Sequence, residues 1–456
     1  MFTMGINLPI MKYTQRRCNM QKELNICLMN DSFPPLIDGV ANTVVNYASI
    51  IEEKYGHAIV STPDYPGVVD DYPFEVLRYP SINTTKLVGY RAGMPLDVNY
   101  LTMISNKKID LIHSHCPIAS TFLARIVRNT NKKPIVLTYH TKFDIDIRKA
   151  INSRLIQDTA INTLIRNIEA CDDVWVVSHG AGENLKSLGY KGDYIVMPNG
   201  VDFTRGKASK AAIDSINREF RLPEDRPIYL FVGRMMWYKG IKIILDALKA
   251  LDSHDQRYLM VFVGDGADNE DIQDYAKQKG VYQNCLFTGP IRDREKLKAI
   301  YSRCDLFLFP STFDTNGIVV REAAASGLGS VLIEGSCAAE DVTGGVNALL
   351  IKENSESLTD LLLKLGNNTS YMHQIGENAM NQIYCSWEES VDRAVERYRY
   401  VIDNIDYRKP TLFDDDSTVL DNFFSLWADI VNRVDNSRKF RQDVNNYISD
   451  LLDRWL

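Results

Sequence analysis

The sequence runs through one rhythm twice: a short apolar run, a turn, a stretch with helical spacing, then the next apolar run. In the first half the apolar runs fall at 24–29, 58–61, 111–113, 135–138, 174–177 and 194–197, and a loop over 30–39 leads into a helix over 40–53. In the second half they fall at 227–231, 259–263, 286–289, 305–309 and 330–333. Strands alternating with helices build parallel sheets covered on both faces. The chain has 456 residues, more than the roughly 250–300 that one hydrophobic core organises. The pattern therefore predicts an α/β protein with two doubly wound domains, 23–204 and 227–385. Pro198-Asn199-Gly200 turns the chain out of the first, and the polar run 205–226 is the linker. Such sheets bind ligands outside the carboxyl ends of their strands, so two domains facing across a cleft place the site between them.

The stretch Asp314-Thr315-Asn316-Gly317-Ile318-Val319-Val320-Arg321-Glu322 carries chemistry at such an edge, because it follows the run 305–310 and opens a helix. The backbone N–H groups of Asn316, Gly317, Ile318 and Val319 at a helix start form an anion site suited to a diphosphate. Asp314 before the turn can accept hydrogen bonds from a sugar, and Glu322 within the helix from a ribose diol. The alternative makes Asp314 a helix cap and Glu322 a solvated helix residue. A second loop, Gly233-Arg234-Met235-Met236-Trp237-Tyr238-Lys239-Gly240, follows the run 227–231. Its glycine permits close backbone approach, and Arg234 and Lys239 bring two cations to where a departing diphosphate needs its charge neutralised. The alternative leaves both cations solvated.

Composition narrows the class. A formal net charge of −7 argues against general nucleic-acid affinity. The eight cysteines are scattered without Cys-x2-Cys spacing, which points to buried free thiols, a reducing, cytoplasmic compartment and no structural zinc. Residues 1–22 contain four methionines and four basic residues but no apolar h-region, so they are expected to be an extension rather than a leader. No apolar run approaches the roughly 20 residues that a membrane span needs.

These segments resemble the retaining glycosyltransferases of family 4, which have the GT-B fold. Asp314 and Glu322 match the family's Glu-x7-Glu, with aspartate replacing the first glutamate, and Arg234 and Lys239 match its Gly-Arg-x4-Lys-Gly loop. Pro35-Leu36-Ile37-Asp38-Gly39-Val40, Thr138-Tyr139-His140-Thr141, Pro198-Asn199-Gly200-Val201-Asp202 and Gly264-Asp265-Gly266 follow in the family's order, and the likeness covers roughly residues 24–405. It implies a UDP-sugar as co-substrate, with no other cofactor and no metal. Gly39, Gly233, Arg234, Lys239, Gly266, Asn316, Gly317, Ile318, Val319 and Glu322 would bind the donor. His140, Arg234, Lys239 and Asp314 would serve the transfer, with the acceptor attacking on the face from which the phosphate leaves. A helix over 386–408 would cross back onto the first domain.

The acceptor is less closely specified. The motifs around Gly39 and Asp314 look most like the bacterial branch that glucosylates diacylglycerol, which implies a lipid hydroxyl, an α-glycolipid and peripheral association with an anionic membrane at the inner face of the cell. A soluble sugar or polysaccharide acceptor, or a GT-B sugar-nucleotide epimerase, is the alternative. The run 146–170 mixes Arg148, Lys149, Arg154 and Arg166 with Ile147, Ile151, Leu155, Leu164 and Ile168, a pattern that suits either a bilayer surface or a core helix. Residues 81–96 are expected to shape the acceptor side. After Tyr407 the chain departs from the family's ending, and residues 409–456 are expected to form a helical extension with one apolar stripe.

Overall fold

The computed structural model describes residues 23–36, 38–85, 91–143, 147–148, 154–315 and 317–404. The extensions 1–22 and 409–456, Asn316 and Ile37 lie outside the described residues.

The first domain contains β1 (Leu24–Met29), β2 (Gly56–Pro63), β3 (Glu75–Tyr79), the hairpin β4 (Ser81–Ile82) and β5 (Ala92–Gly93), then β6 (Leu111–Ser114), β7 (Ile135–Tyr139), β8 (Asp173–Val176) and β9 (Ile195–Val196). Seven of these strands form one parallel sheet, in the order β3-β2-β1-β6-β7-β8-β9. All six residues of β1 are buried, as a parallel strand covered on both faces requires. The second domain contains β10 (Ile228–Val232), β11 (Leu259–Val263), β12 (Cys285–Gly289), β13 (Leu306–Phe309), β14 (Ser330–Ile333) and β15 (Leu349–Ile351), in the order β12-β11-β10-β13-β14-β15. Each sheet reverses its winding beside its first strand, between β1 and β6 and between β10 and β13. A crevice opens at such a reversal.

The residues over 205–226 do more than link. They hold the helix Lys210–Phe220, whose Ser209 accepts a hydrogen bond from Ala212 N–H at the amino terminus and whose Ile216 enters the second core. Ala208 N–H donates to Ser302 Oγ at 2.9 Å, which fastens this segment to the second domain. The returning helix, Trp387–Asn404, packs Val391, Ala394, Val395, Tyr398 and Val401 into the core of the first domain. Arg397 clamps Asp173 through two hydrogen bonds of 2.8 and 2.9 Å. The chain's two crossings run side by side where Val201 pairs with Ser386. A Cβ on Gly200 would lie 2.3 Å from Trp387 N, so this crossing excludes any larger residue.

Within the helix Arg154–Glu169, Ile161, Leu164, Ile165 and Ile168 are buried in the first core, while Arg166 is exposed. This part of the basic stretch spends its apolar face on packing, so the bilayer alternative fails for it. Lys149 and Ile151 lie outside the described residues. Among the described residues no helix is long and apolar enough to cross a membrane.

Candidate active site

The loops that follow β10 and β13 meet at the reversal of the second sheet. Lys239 Nζ donates to Asp314 Oδ1 at 2.6 Å, and Ser311 Oγ donates to Asp314 Oδ2 at 2.7 Å. Asp314 is therefore held from both sides, and it is not the cap of the next helix. Arg234 is exposed and makes no ion pair among the described residues, which leaves its guanidinium available to an anion. The loop that carries it is braced from below. Gly233 N–H donates to Val263 O at 3.0 Å, Met235 N–H to Asp265 O at 3.1 Å, and Trp237 N–H to Asp268 Oδ2 at 2.9 Å. Gly266 lies directly under Met235, where a Cβ would stand 2.5 Å from Met235 O. Its smallness supports the cation loop.

The helix Ile318–Ala325 begins at Gly317, whose φ of 58° is left-handed and open to glycine at little cost. Val320 and Arg321 N–H both donate to Gly317 O, at 2.8 and 3.2 Å, so the amides of Gly317, Ile318 and Val319 stand ahead of the helical ladder. Glu322 lies one turn further on and is buried, at 6 % exposure, rather than solvated. Its two oxygens are engaged by groups that sequence reasoning missed. Arg294 Nη2 donates to Oε1 at 2.6 Å, and Tyr301 Oη to Oε2 at 3.1 Å. Burial pushes the Glu322 carboxyl above the ordinary glutamate range, and Arg294 and Tyr301 pull against that shift. Arg294 Nη2 also lies 3.6 Å from Asp202, which accepts from Trp387 Nε1 at 2.8 Å. Glu322 is thus wired to the crossing between the domains. Arg294 opens the helix Arg294–Arg303 that follows β12, far in sequence from Glu322.

The first domain closes the site. Asp38 caps the helix Gly39–Lys54 by accepting from Val40 and Ala41 N–H at 2.8 and 2.7 Å, which aims the helix start at the second domain. A Cβ at Gly39 would meet only Ile318 Cδ1, at 3.9 Å. The two helix starts predicted to bind the donor therefore face one another. His140 follows β7 with 6 % exposure, and its carbonyl accepts from Thr315 Oγ1 at 2.7 Å across the cleft. Burial pushes its imidazole down to about 3, so it is neutral at physiological pH. A second contact joins the domains where Glu340 accepts from His179 and Gly180 N–H, both at 2.5 Å, at the start of the helix His179–Ser187.

Two Rossmann-like domains meeting at their strand ends, with a cation loop and a buried carboxylate in one and a neutral histidine in the other, define a GT-B glycosyltransferase. The family model "Glycosyltransferase Family 4" matches residues 37–205, and "Glycosyl transferases group 1" matches residues 212–382. The chain belongs to the family 4 glycosyltransferases. It is similar to the alpha-monoglucosyldiacylglycerol synthase of Streptococcus pneumoniae, 23 % identical over 309 residues that cover 67 % of this chain and 70 % of the relative. The enzyme of that name from Acholeplasma laidlawii is 22 % identical over 370 residues, 78 % of this chain and 92 % of the relative. Among solved structures, Anabaena HepE in complex with UDP has the same fold. Its TM-score is 0.64 at 18 % identity, covering 83 % of this chain and 100 % of the other.

Proposed function

We propose that the protein transfers a hexose, glucose in the simplest case, from a UDP-sugar to a lipid hydroxyl such as that of diacylglycerol, with retention at the anomeric carbon. The observation that carries this is the approach of Gly39 to Ile318 across the cleft. Gly39 is not among the positive-φ glycines, and an added Cβ meets nothing closer than 3.9 Å, so neither backbone nor packing demands a glycine there. A diphosphate held between two helix starts does demand one.

In this arrangement the ribose diol donates to Glu322, the diphosphate lies against the amides of Gly317, Ile318 and Val319, and Arg234 and Lys239 face its oxygens. Asp314 accepts from the sugar hydroxyls, while Lys239 and Ser311 fix its direction. The acceptor oxygen attacks the anomeric carbon on the face from which the phosphate departs. The bond to the phosphate oxygen breaks, the new glycosidic bond forms, and UDP leaves with the acceptor's proton. Cations already in place stabilise the growing phosphate charge without reorganising, so the step is proposed without a metal. The names of the two synthases support a lipid acceptor, and protein bound at the inner face of the cell membrane follows from it. A second acceptor class is favoured by one feature. A cavity of about 530 Å³ has a mixed wall in which Ile333 and Cys337 stand among Lys142, Thr312, Glu334, Lys352 and Glu353, and these charged and hydroxyl groups could hold the hydroxyls of a sugar.

The test is a mass-spectrometric screen of UDP-sugars against diacylglycerol vesicles and pooled soluble sugars. UDP release that depends on the vesicles, with a hexosyl lipid as product, is the expected result. Transfer to soluble sugars with no response to vesicles would refute the lipid acceptor and leave the transferase assignment in place.

A further inference from the structure

Three histidines crowd the carboxyl ends of β6 and β7. His113 and His115 have ring centroids 4.0 Å apart, and His115 stacks on His140 at 5.2 Å with an interplanar angle of 22°. His113 is satisfied at both nitrogens, by Tyr398 Oη at 2.5 Å and Thr138 Oγ1 at 2.7 Å. His115 Nδ1 lies 3.0 Å from His140 Nε2, and the edge of the Tyr47 ring approaches His115 from the helix Gly39–Lys54. The remaining nitrogen of His115, Nε2, is buried with no hydrogen-bond partner among the described residues.

That orphan atom decides where the protons sit. Only one proton can lie between His115 Nδ1 and His140 Nε2. If His140 donated it, a neutral His115 would carry its own proton on Nε2, as an N–H with no acceptor. If His115 donates it, Nε2 keeps only a bare lone pair. Buried N–H groups without acceptors are the rarer of the two defects, and the bond made by one ring nitrogen sets the protonation of the other. We infer that His115 is a positioning residue that fixes His140 as the Nδ1–H tautomer, so that His140 offers a hydrogen-bond donor, and not a base, to the cleft. Burial holds all three imidazoles well below the usual histidine range, which keeps the choice between neutral tautomers. A donor suits an oxygen of the sugar or phosphate. It also excludes His140 from deprotonating the acceptor, a task that falls to the departing phosphate. The placing of His140 beside the donor sugar rests on the proposed function; the tautomer does not.

The test is nitrogen NMR of the full chain labelled with ¹⁵N-histidine, with the His140 signals assigned by their loss in His140→Gln. At neutral pH the wild type should show His140 protonated at Nδ1 and bare at Nε2, and His115→Glu, which faces Nε2 with an acceptor in place of a donor, should shift the population toward Nε2–H. Wild-type His140 protonated at Nε2 would overturn the inference, and so would a tautomer indifferent to His115→Glu. Because the wild-type spectrum decides the matter, a poorly folded variant does not remove the test. In turnover, His115→Leu should lower kcat/KM for the UDP-sugar roughly tenfold, the worth of one hydrogen bond, and leave affinity for UDP unchanged. His115→Gln, which can place an amide donor toward His140, should recover part of the loss. The spectrum stands apart from catalysis, so an absence of transferase activity bears on the proposed function alone.

Discussion

The ammonium of Lys239 touches the carboxylate of Asp314 at 2.6 Å, although 75 positions separate them in the chain. One is the cation expected to meet the departing phosphate, and the other is the carboxylate expected to orient the sugar. Removing either therefore disturbs both tasks. Lys239→Ala and Asp314→Asn should each lower kcat/KM by roughly ten- to a hundredfold, from about 1.5–3 kcal/mol for a hydrogen bond to a charged group. The double variant should be little worse than the poorer single, because the pair acts as a unit. Steady-state kinetics with a UDP-sugar checks this, and strictly multiplicative losses would contradict it.

Glu322 gives the site a pH signature. Burial raises its carboxyl above the ordinary glutamate range, while its ionised form is the one that accepts from the ribose. Affinity for UDP should therefore weaken as the pH falls through that raised value, sooner than an ordinary glutamate would allow. Stability runs the other way, since the raised group favours folding most at low pH and loses that contribution as the pH rises through its folded value. Calorimetric titration with UDP should show the acid inflection in the wild type and not in Glu322→Gln.

Arg294 is the partner that most opposes the upward shift of the Glu322 carboxyl. Its side chain is 42 % exposed, so solvent screening holds the stability lost in Arg294→Met to about 1–2 kcal/mol. Thermal unfolding should fall by roughly 2–8 °C. The acid inflection in UDP binding should move upward, because an opposing charge has gone. An unmoved inflection would detach Arg294 from the site.

Two glycines separate function from folding. A Cβ at Gly39 meets only Ile318, so Gly39→Ala should leave thermal stability near wild type while weakening donor binding. Gly240 has φ of 77°, and its Cβ would stand 1.8 Å from Pro310 O. Gly240→Ala should cost about 2 kcal/mol or more, from left-handed strain and backbone overlap. Differential scanning fluorimetry with and without UDP distinguishes the two, and a Gly39→Ala protein that binds UDP like the wild type would remove that glycine from the phosphate cradle.

Much of this architecture was legible because parallel strands covered on both faces must be continuously apolar, as β1, β10 and β13 are. β3, with Glu75 and Arg78 exposed or half-buried at the sheet edge, and the three-residue β15 carry no such signal and went unread. The helix Lys210–Phe220 hid in a polar run because only Ile216 is fully buried along it. At the site, local motifs singled out Arg234 and Lys239 after β10, Asp314 after β13 and Glu322 in the helix Ile318–Ala325. The pairing of Lys239 with Asp314, and of Arg294 and Tyr301 with Glu322, depends on β10, β12 and β13 being brought together by the sheet. No local spacing encodes that. Gly266 reads as a ligand glycine in sequence, whereas its role as a brace under Met235 needs three dimensions.

The configuration of the product tests the central claim most directly. UDP-glucose incubated with the protein and diacylglycerol vesicles should yield UDP and a glucosyl lipid in equal amounts, and proton NMR of the anomeric centre should report an α linkage. A β-linked product would contradict departure and attack on one face, and glucose transfer without release of UDP would contradict the site built around Glu322, Lys239 and Asp314.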